Sequence, residues 1–565
     1  MVMFVYRQTD SGKKLIGLID AFGKDGFEVV KIVNKFGKTG IMAESRTAVN
    51  YDSGEKKKAY YLEGSCYEMG FLMGMLAEKE VAAMTGDFTN KVVFSFIGSK
   101  ILEKVTLLQE AFVKLIYELS KSEFTKLPKD IKDEITGILD GCNNHNPKTT
   151  VTLDRMIVLN LGIDILCSMV YSGDFPLFRL KDIDPADFNI PVMCNAFSVF
   201  GKSAGNGHYF GRDFMFPTAD VFHKTACMVV YNPAKYGSKN VYPFVSVTAP
   251  GMVGSISAMN SIGVGIGVDM SPGCNCDPQK PGVNSLLLTR LCVQNGGSAE
   301  EMVEIIENTP RGVTWNYIIS DGKQDRACVV EAGKTGNILD FTEIPLKDFK
   351  AYLPDAGFIS RHSSSPFRKG IMVRWNDYKY PEAYLEYNKI LWEQHNKVYS
   401  AQKVIHPNAF APRGYINKHH KEKNCPSAFY FCPQREISDE LVIATNHFVI
   451  PEMRYYAMHP WTSKIISEKA DDIQWRYDEL NDSIAGTLHK RGMISYKSAK
   501  ELVSYLSPKG RNPGYYSDNP KSVDGKEIRI EGCASIFDLK NMFVESHYGY
   551  YCDEWVKITL PLYVN

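Results

Sequence analysis

The chain has 565 residues, 44% of them hydrophobic, and 65 Lys+Arg balance 65 Asp+Glu for a formal net charge of zero. That length suits a large core of several units at about 150 residues each, and 31 Tyr with 30 Phe argue against disorder. The balanced charge lacks the basic excess of nucleic-acid binders, and 13 scattered Cys, an odd number, leave at least one thiol free.

The start, MVMFVYRQTDSGKKLIG, lacks the basic-then-apolar layout of a signal peptide. No apolar run approaches the ~20 residues of a membrane span. The longest, Met156 to Tyr171, is interrupted by Asn160, Asp164 and Ser168. A soluble, cytoplasmic protein with no membrane span and no nucleic-acid partner is expected. The stretch to about Lys57, including GLIDAFGKDGFEVVKIVNKFGKTG, reads as β-rich and punctuated by Gly. From Tyr60 to about Leu166 the apolar spacing turns helical, in GSCYEMGFLMGMLAEKEVAAM, LEKVTLLQEAFVKLIYELSK and LDRMIVLNLGIDILCSMVY. LPKDIKDEITGILDGC reads as a Pro-entered helix ending near Gly141. DFPLFRLKDIDPADFNIPVMC, rich in Pro and Asp, reads as an exposed connector.

After Cys194 the character changes. AFSVFGKSAGNGHYFGRDF reads as strand, Gly-rich turn, strand. CMVVYNP, YPFVSVTAPGMVGSISAMN, GVGIGVDM, WNYIISDG and RACVVEAG add strands, and SAEEMVEIIENTP inserts a helix. The alternation implies α+β layers rather than a parallel doubly wound sheet. The close pair Cys274 and Cys276 reads as a Gly/Cys/Pro turn, not a metal site, and INKHHKEKNCPS (416–427) as a solvated loop.

The segment from Pro191, PVMCNAFSVFGKSAGNGHYFGRDFMFP, carries the chemistry. A hairpin of this length returns Gly211, Arg212 and Asp213 toward Cys194. A guanidinium beside a thiol favours the nucleophilic thiolate, and a carboxylate orients an amine. On spacing alone, the pattern is better read as a buried strand cysteine beside an ordinary Arg–Asp pair.

The segment resembles the start of the mature chain in cysteine N-terminal-nucleophile hydrolases, among them choloylglycine hydrolase, penicillin V acylase, acid ceramidase and N-acylethanolamine acid amidase. It is most similar to the self-cleaving acyltransferase/hydrolase branch typified by isopenicillin N acyltransferase. LEGSCYEMGFLMGML (62–76), SAMNSIGVGIGVDM (257–270), VTWNYIISDGKQDRACVVEAG (313–333) and ATNHF (444–448) resemble further elements of that branch, in the same order.

The resemblance implies an αββα four-layer sandwich preceded by a mainly helical pro-segment. It implies a pro-segment of 1–193 and a catalytic chain of 194–565, cut between Met193 and Cys194 and remaining associated, because amphipathic helices need a partner. The stretch around 335–440 is not accounted for by the family core and reads as an insertion. Cys194 matches the nucleophile, whose freed α-amine, with a reference pKa near ~7.7–8, serves as the base. Asn446 matches the residue that helps hold the oxyanion. Arg476, in QWRYDEL, matches a late supporting Arg, with Arg454 in PEMRYY as the competing candidate.

Arg212 and Asp213 match an Arg-Asn-x-Asp element incompletely, since Met215 stands where the acid is expected. Asp269 lies near a second oxyanion or substrate-binding position, and His447 and Glu331 read as structural. No metal or cofactor is implied. The expected activity is cleavage or transfer at a linear amide of a small molecule, with a hydrophobic acyl group and a Cys194 acyl-thioester. A catalytically inactive binding or structural protein of the same fold is the alternative. A papain-like protease is disfavoured, because Cys194 opens a strand-like segment rather than a helix.

Overall fold

The structure is a computed structural model, and it describes residues 10–50, 53–92, 106–172, 194–215, 221–234, 240–273, 275–336, 366–382, 437–456, 476–477, 480–505, 532–548 and 554–564. Met193, the connector before it, Cys274, the loop 416–427 and most of 335–440 lie outside the described residues. So does the side chain of Arg454.

The first described element corrects the sequence reading. Residues 17–24, expected within a β-rich stretch, belong to helix α1 (Asp10–Lys24). Leu18, Ala21 and Phe22 recur at helical spacing and are buried. Strands β1 (Phe27–Lys35), β2 (Lys38–Val49) and β3 (Lys56–Gly64) follow. Ser65 then starts α2 (Cys66–Leu76) with a capping box, its side chain accepting from the Glu68 N–H while the Glu68 carboxylate accepts from the Ser65 N–H.

Helices α3 (Thr106–Lys126), α4 (Lys129–His145) and α5 (Leu153–Ser172) complete the N-terminal part. The Gly70-x-x-x-Gly74 pair of α2 meets Gly137 and Gly141 of α4 backbone to backbone. A Cβ at Gly70 would stand 2.2 Å from the Glu134 carbonyl oxygen, so larger residues would force the two helices apart.

The next elements are β4 (Asn195–Phe200), β5 (His208–Met215), β6 (Cys227–Pro233), β7 (Phe244–Thr248), β8 (Ser257–Asn260) and β9 (Val264–Met270). Helices α6 (Ser285–Asn295) and α7 (Ala299–Asn308) separate them from β10 (Trp315–Asp321) and β11 (Arg326–Ala332). β12 (Ile371–Trp375), β13 (Leu441–Thr445), α8 (Pro451–Tyr456), α9 (Tyr496–Tyr505), β14 (Gly532–Asp538), β15 (Phe543–Tyr548), β16 (Val556–Thr559) and α10 (Pro561–Val564) follow.

The protein is α+β. A ten-stranded sheet runs β1-β2-β3-β6-β7-β8-β9-β10-β11-β12, and a six-stranded sheet runs β13-β4-β5-β14-β15-β16. Among the described residues, neighbouring strands pair antiparallel except β3 and β6, which pair parallel. At that junction the strands β1–β3 join the strands that follow Cys194, so the N-terminal part is three strands of the larger sheet as well as a group of helices.

The sheets face each other, with β4 and β5 against β9 and β4 against β10. Helix α2 packs on β1–β3, α6 on β8 and β9, and α9 on β5 and β14. Alternation along β4 divides its side chains between two apolar clusters. Cys194, Ala196 and Phe200 enter the large core, and Phe197 and Val199 the smaller core beneath residues 480–503. Among the described residues no helix is long and apolar enough to cross a membrane.

Candidate active site

β4 and β5 form a hairpin closed by a tight turn at Gly201–Ala204, with Gly205 and Asn206 both at positive φ, 60° and 68°. Register runs unbroken from Asn195↔Asp213 to Phe200↔His208. On the other side of β4, Thr445↔Asn195 is the last pair with β13. Asn446, one residue beyond, therefore lies beside Cys194.

Cys194 is fully buried. Its backbone N–H donates to Asn446 Oδ1 at 2.7 Å, and its Sγ lies 3.5 Å from the Met215 carbonyl oxygen. Arg476 donates through Nη1 to the Cys194 carbonyl and through Nη2 to Asn446 Oδ1 at 2.9 Å. Asn446 Nδ2 donates to the Met270 carbonyl at 2.7 Å. Two donors converging on Oδ1 and a carbonyl facing Nδ2 set the orientation of this amide.

Arg212 shares the intersheet face with Cys194. Its Nη2 lies 3.0 Å from Asp269 Oδ1, with both side chains fully buried. Its Nη1 donates to the carbonyls of Asn195, at 3.3 Å, and of Asp213. Burial pushes the Cys194 thiol above its ordinary pKa. Arg212 and, more weakly, Arg476 pull it down, while Asp269 pushes it up. Burial also pushes Asp269 up to about 6, against the pull of Arg212 and Arg476.

The structure thus brings Cys194, Arg212, Asp269, Asn446 and Arg476 together. It does not bring the Asp213 carboxylate to them. Successive strand residues point to opposite faces, and no bulge in the β4–β5 pairing shifts the alternation, so Asp213 faces away from Arg212. Asp269, across the intersheet space on β9, is the acid on the cysteine's side. Cys194 precedes a strand rather than opening a helix, which removes the papain-like arrangement.

Three residues in one cross-strand row support this group. Asn316 of β10 pairs with Asp269 of β9 on one side and Glu331 of β11 on the other. Asn316 Nδ2 donates to the carbonyls of Thr445 at 3.0 Å and His447 at 2.9 Å. Glu331 accepts from the N–H groups of Val449 and Ile450, at 2.9 Å and 3.0 Å, and pairs with Arg374. Sequence reading passed over Asn316. The available signal was a single polar residue inside an otherwise apolar stretch, as in VGIGVDM, WNYII and ACVVEA, because a buried polar group needs partners. Among the described residues no three His, Cys, Asp or Glu side chains gather as a metal-binding cluster.

Residues 204–346 match the family described as acyl-coenzyme A:6-aminopenicillanic acid acyl-transferase. The match agrees with the recognition carried by the sequence motifs. It spans Arg212, Asp269, Asn316 and Glu331, but not Cys194, Asn446 or Arg476. A protein of Archaeoglobus fulgidus described as uncharacterized is 29% identical over 531 residues, 94% of this chain and 68% of its own length. Two solved structures of conjugated bile acid hydrolase variants from Clostridium perfringens are 11% and 13% identical. Each match covers 66% of this chain and 95% of the other, with TM-scores of 0.29 and 0.31.

Proposed function

Given its likeness to the acyltransferase branch, we propose that this chain is a self-cleaving amidohydrolase or acyltransferase built on the αββα sandwich, with Cys194 as its nucleophile. The observation that carries the reading is the convergence on one residue. The Cys194 N–H is held by Asn446, its carbonyl by Arg476, and its thiol shares a buried face with Arg212 and Asp269.

In self-cleavage the thiol adds to the Met193 carbonyl carbon. The bond to the Cys194 nitrogen breaks, that nitrogen takes the proton, and a thioester remains for water to hydrolyse. Asn446 Oδ1 already holds the leaving nitrogen. The freed α-amine then accepts the thiol proton as a substrate amide is attacked, and returns it to the departing amine. The acyl-thioester passes to water or to a second amine. The oxyanion role implied for Asn446 requires its Nδ2 to exchange the Met270 carbonyl for the oxyanion. Asp269, rather than Asp213, balances Arg212 beside the thiol.

The N-terminal part stays bound after cleavage. Helix α5 is tied to the catalytic part by Asn160, which donates to Gly251 O and accepts from Val253 N–H, each at 2.9 Å. Asp164 accepts from the Ser285 N–H at 2.6 Å, and Ser168 donates to Gly312 O at 2.8 Å. The buried pair Glu134–Arg290, 2.9 Å apart, and the β3–β6 ladder add to the seam.

The second reading, an inactive binding protein, draws on Met215 at the position of the expected acid. Intact-mass spectrometry of the wild type beside Cys194→Ala decides between them. The active reading expects two pieces split between Met193 and Cys194 for the wild type and one for the variant. A folded wild type that stays whole favours the binding protein.

A further inference from the structure

Asn446 lies just past the end of a ladder. β13 pairs with β4 only as far as Thr445↔Asn195, so strand hydrogen bonds no longer hold the chain at the residue that contacts Cys194. We propose that Asn316 is a positioning residue for cleavage. Its side-chain amide spans the carbonyls on either side of Asn446 and fixes that residue against the Cys194 N–H.

Four observations support this. Both bonds come from one nitrogen, at 3.0 Å and 2.9 Å, and they bracket Asn446 and no other residue. Asn316 is buried and sits on the central strand of the Asp269–Asn316–Glu331 row, so its own backbone is held on both sides. Glu331, next in the row, grips the same loop from Val449 and Ile450 onward. Finally, Asn316 Oδ1 is buried with no hydrogen-bond partner among the described residues, although both N–H bonds are used. A side chain kept for stability alone would be expected to satisfy that oxygen as well.

The same row places Asp269 against Arg212. Three neighbouring strands of the larger sheet therefore act as a template for a site whose nucleophile lies on the smaller one. Rigid strand positions hold a constellation more tightly than the loop itself can.

The inference rests on the amide-cleaving reading of Cys194, and the test separates the two. In freshly refolded precursor, Asn316→Ala is expected to lower the first-order rate constant of self-cleavage by about a hundredfold, since a small misplacement of reacting groups costs that much. Hydroxylamine, which captures the thioester, should not restore the rate, because the slowed step precedes the thioester.

Asn260→Ala is the matched control. Asn260 Nδ2 also donates to two carbonyls, of Val293 and Gly296, at 3.2 Å and 2.7 Å, but these lie at the end of α6 and neither flanks a residue bonded to Cys194. It is expected to reduce the folded fraction while leaving the rate constant unchanged. Asn316→Ser replaces Asn316→Ala should the latter not fold. A wild-type rate constant for the folded Asn316 variant, or equal slowing by Asn260→Ala, overturns the proposal.

A second readout does not need cleavage. In the whole Cys194→Ala chain with labelled Asn side chains, replacing Asn316 should shift the Asn446 amide resonances. An unmoved Asn446 signal overturns the proposal even if the wild type never cleaves.

Discussion

Two buried polar clusters lie between the same two sheets, one at each end of β4. Around Cys194, two guanidiniums, a carboxylate and an amide surround a thiol. Around His208 the side chains read like a serine triad. Nδ1 lies 3.1 Å from Asp325 Oδ1, and Nε2 lies 3.1 Å from Ser198 Oγ and 2.8 Å from Ser320 Oγ. The two hydroxyls also bond each other at 2.7 Å.

The difference is one of satisfaction. At His208, Ser198 and Ser320 both have partners, and burial holds the ring below its ordinary pKa against the pull of Asp325. The cluster ties β4 to β10. At Cys194, Asp269 presents both carboxylate oxygens without an aligned hydrogen bond among the described residues, and Arg212 Nε likewise has none there. Groups of that kind remain available to reacting atoms, whereas a closed hydrogen-bond ring does not.

The largest effect that would sharpen this contrast is expected at Asn446. Asn446→Ala removes the acceptor of the leaving nitrogen and the nearest amide donor. Cleavage should slow by roughly a hundredfold, or about 3 kcal/mol, when timed by intact mass in folded protein. A change of less than twofold would make Asn446 a scaffold residue.

The next effect is a pH shift. Asp269 raises the thiol's pKa and Arg212 lowers it. Asp269→Asn should therefore move the midpoint of the cleavage rate against pH downward, and Arg212→Gln should move it upward. Asp269 itself is protonated below about 6, so there the wild-type and Asp269→Asn profiles should converge. Parallel profiles at every pH would show that the Asp269 charge does not reach the thiol.

The smallest effect belongs to the other cluster. Ser198→Ala leaves His208 bonded to Ser320. It should cost about 1 kcal/mol in denaturant unfolding while the cleavage rate stays unchanged. Loss of cleavage in folded Ser198→Ala would erase the distinction between the two clusters.

The seam between the N-terminal part and the part after Cys194 shows how legible the sequence was. Asn160, Asp164 and Ser168 stand out in the sequence only as interruptions of an apolar run. They recur every four residues, so they share one face of α5, and each bonds the part after Cys194. Burial pushes Asp164 up to about 7, and its bonds to Ser285 pull against that. The helical spacing was readable, but the partners at Gly251, Ser285 and Gly312 lie far along the chain. Residues 17–24 went the other way, because the glycines at 17 and 23 masked the helical spacing of Leu18, Ala21 and Phe22.

The sequence by itself determined the nucleophile candidate, the hairpin that follows it, and the α+β character. These depend on local periodicity and on motifs whose residues are close in the chain. It also singled out Asn446 and Arg476 through the resemblance. Only the tertiary structure decided which acid lies on the side of Cys194. Asp213 and Arg212 are neighbours in sequence, yet the strand pleat sends them to opposite faces, and Asp269 arrives from the other sheet. It alone revealed the Asp269–Asn316–Glu331 row, because residues in register across three strands are neighbours only once the sheet has formed.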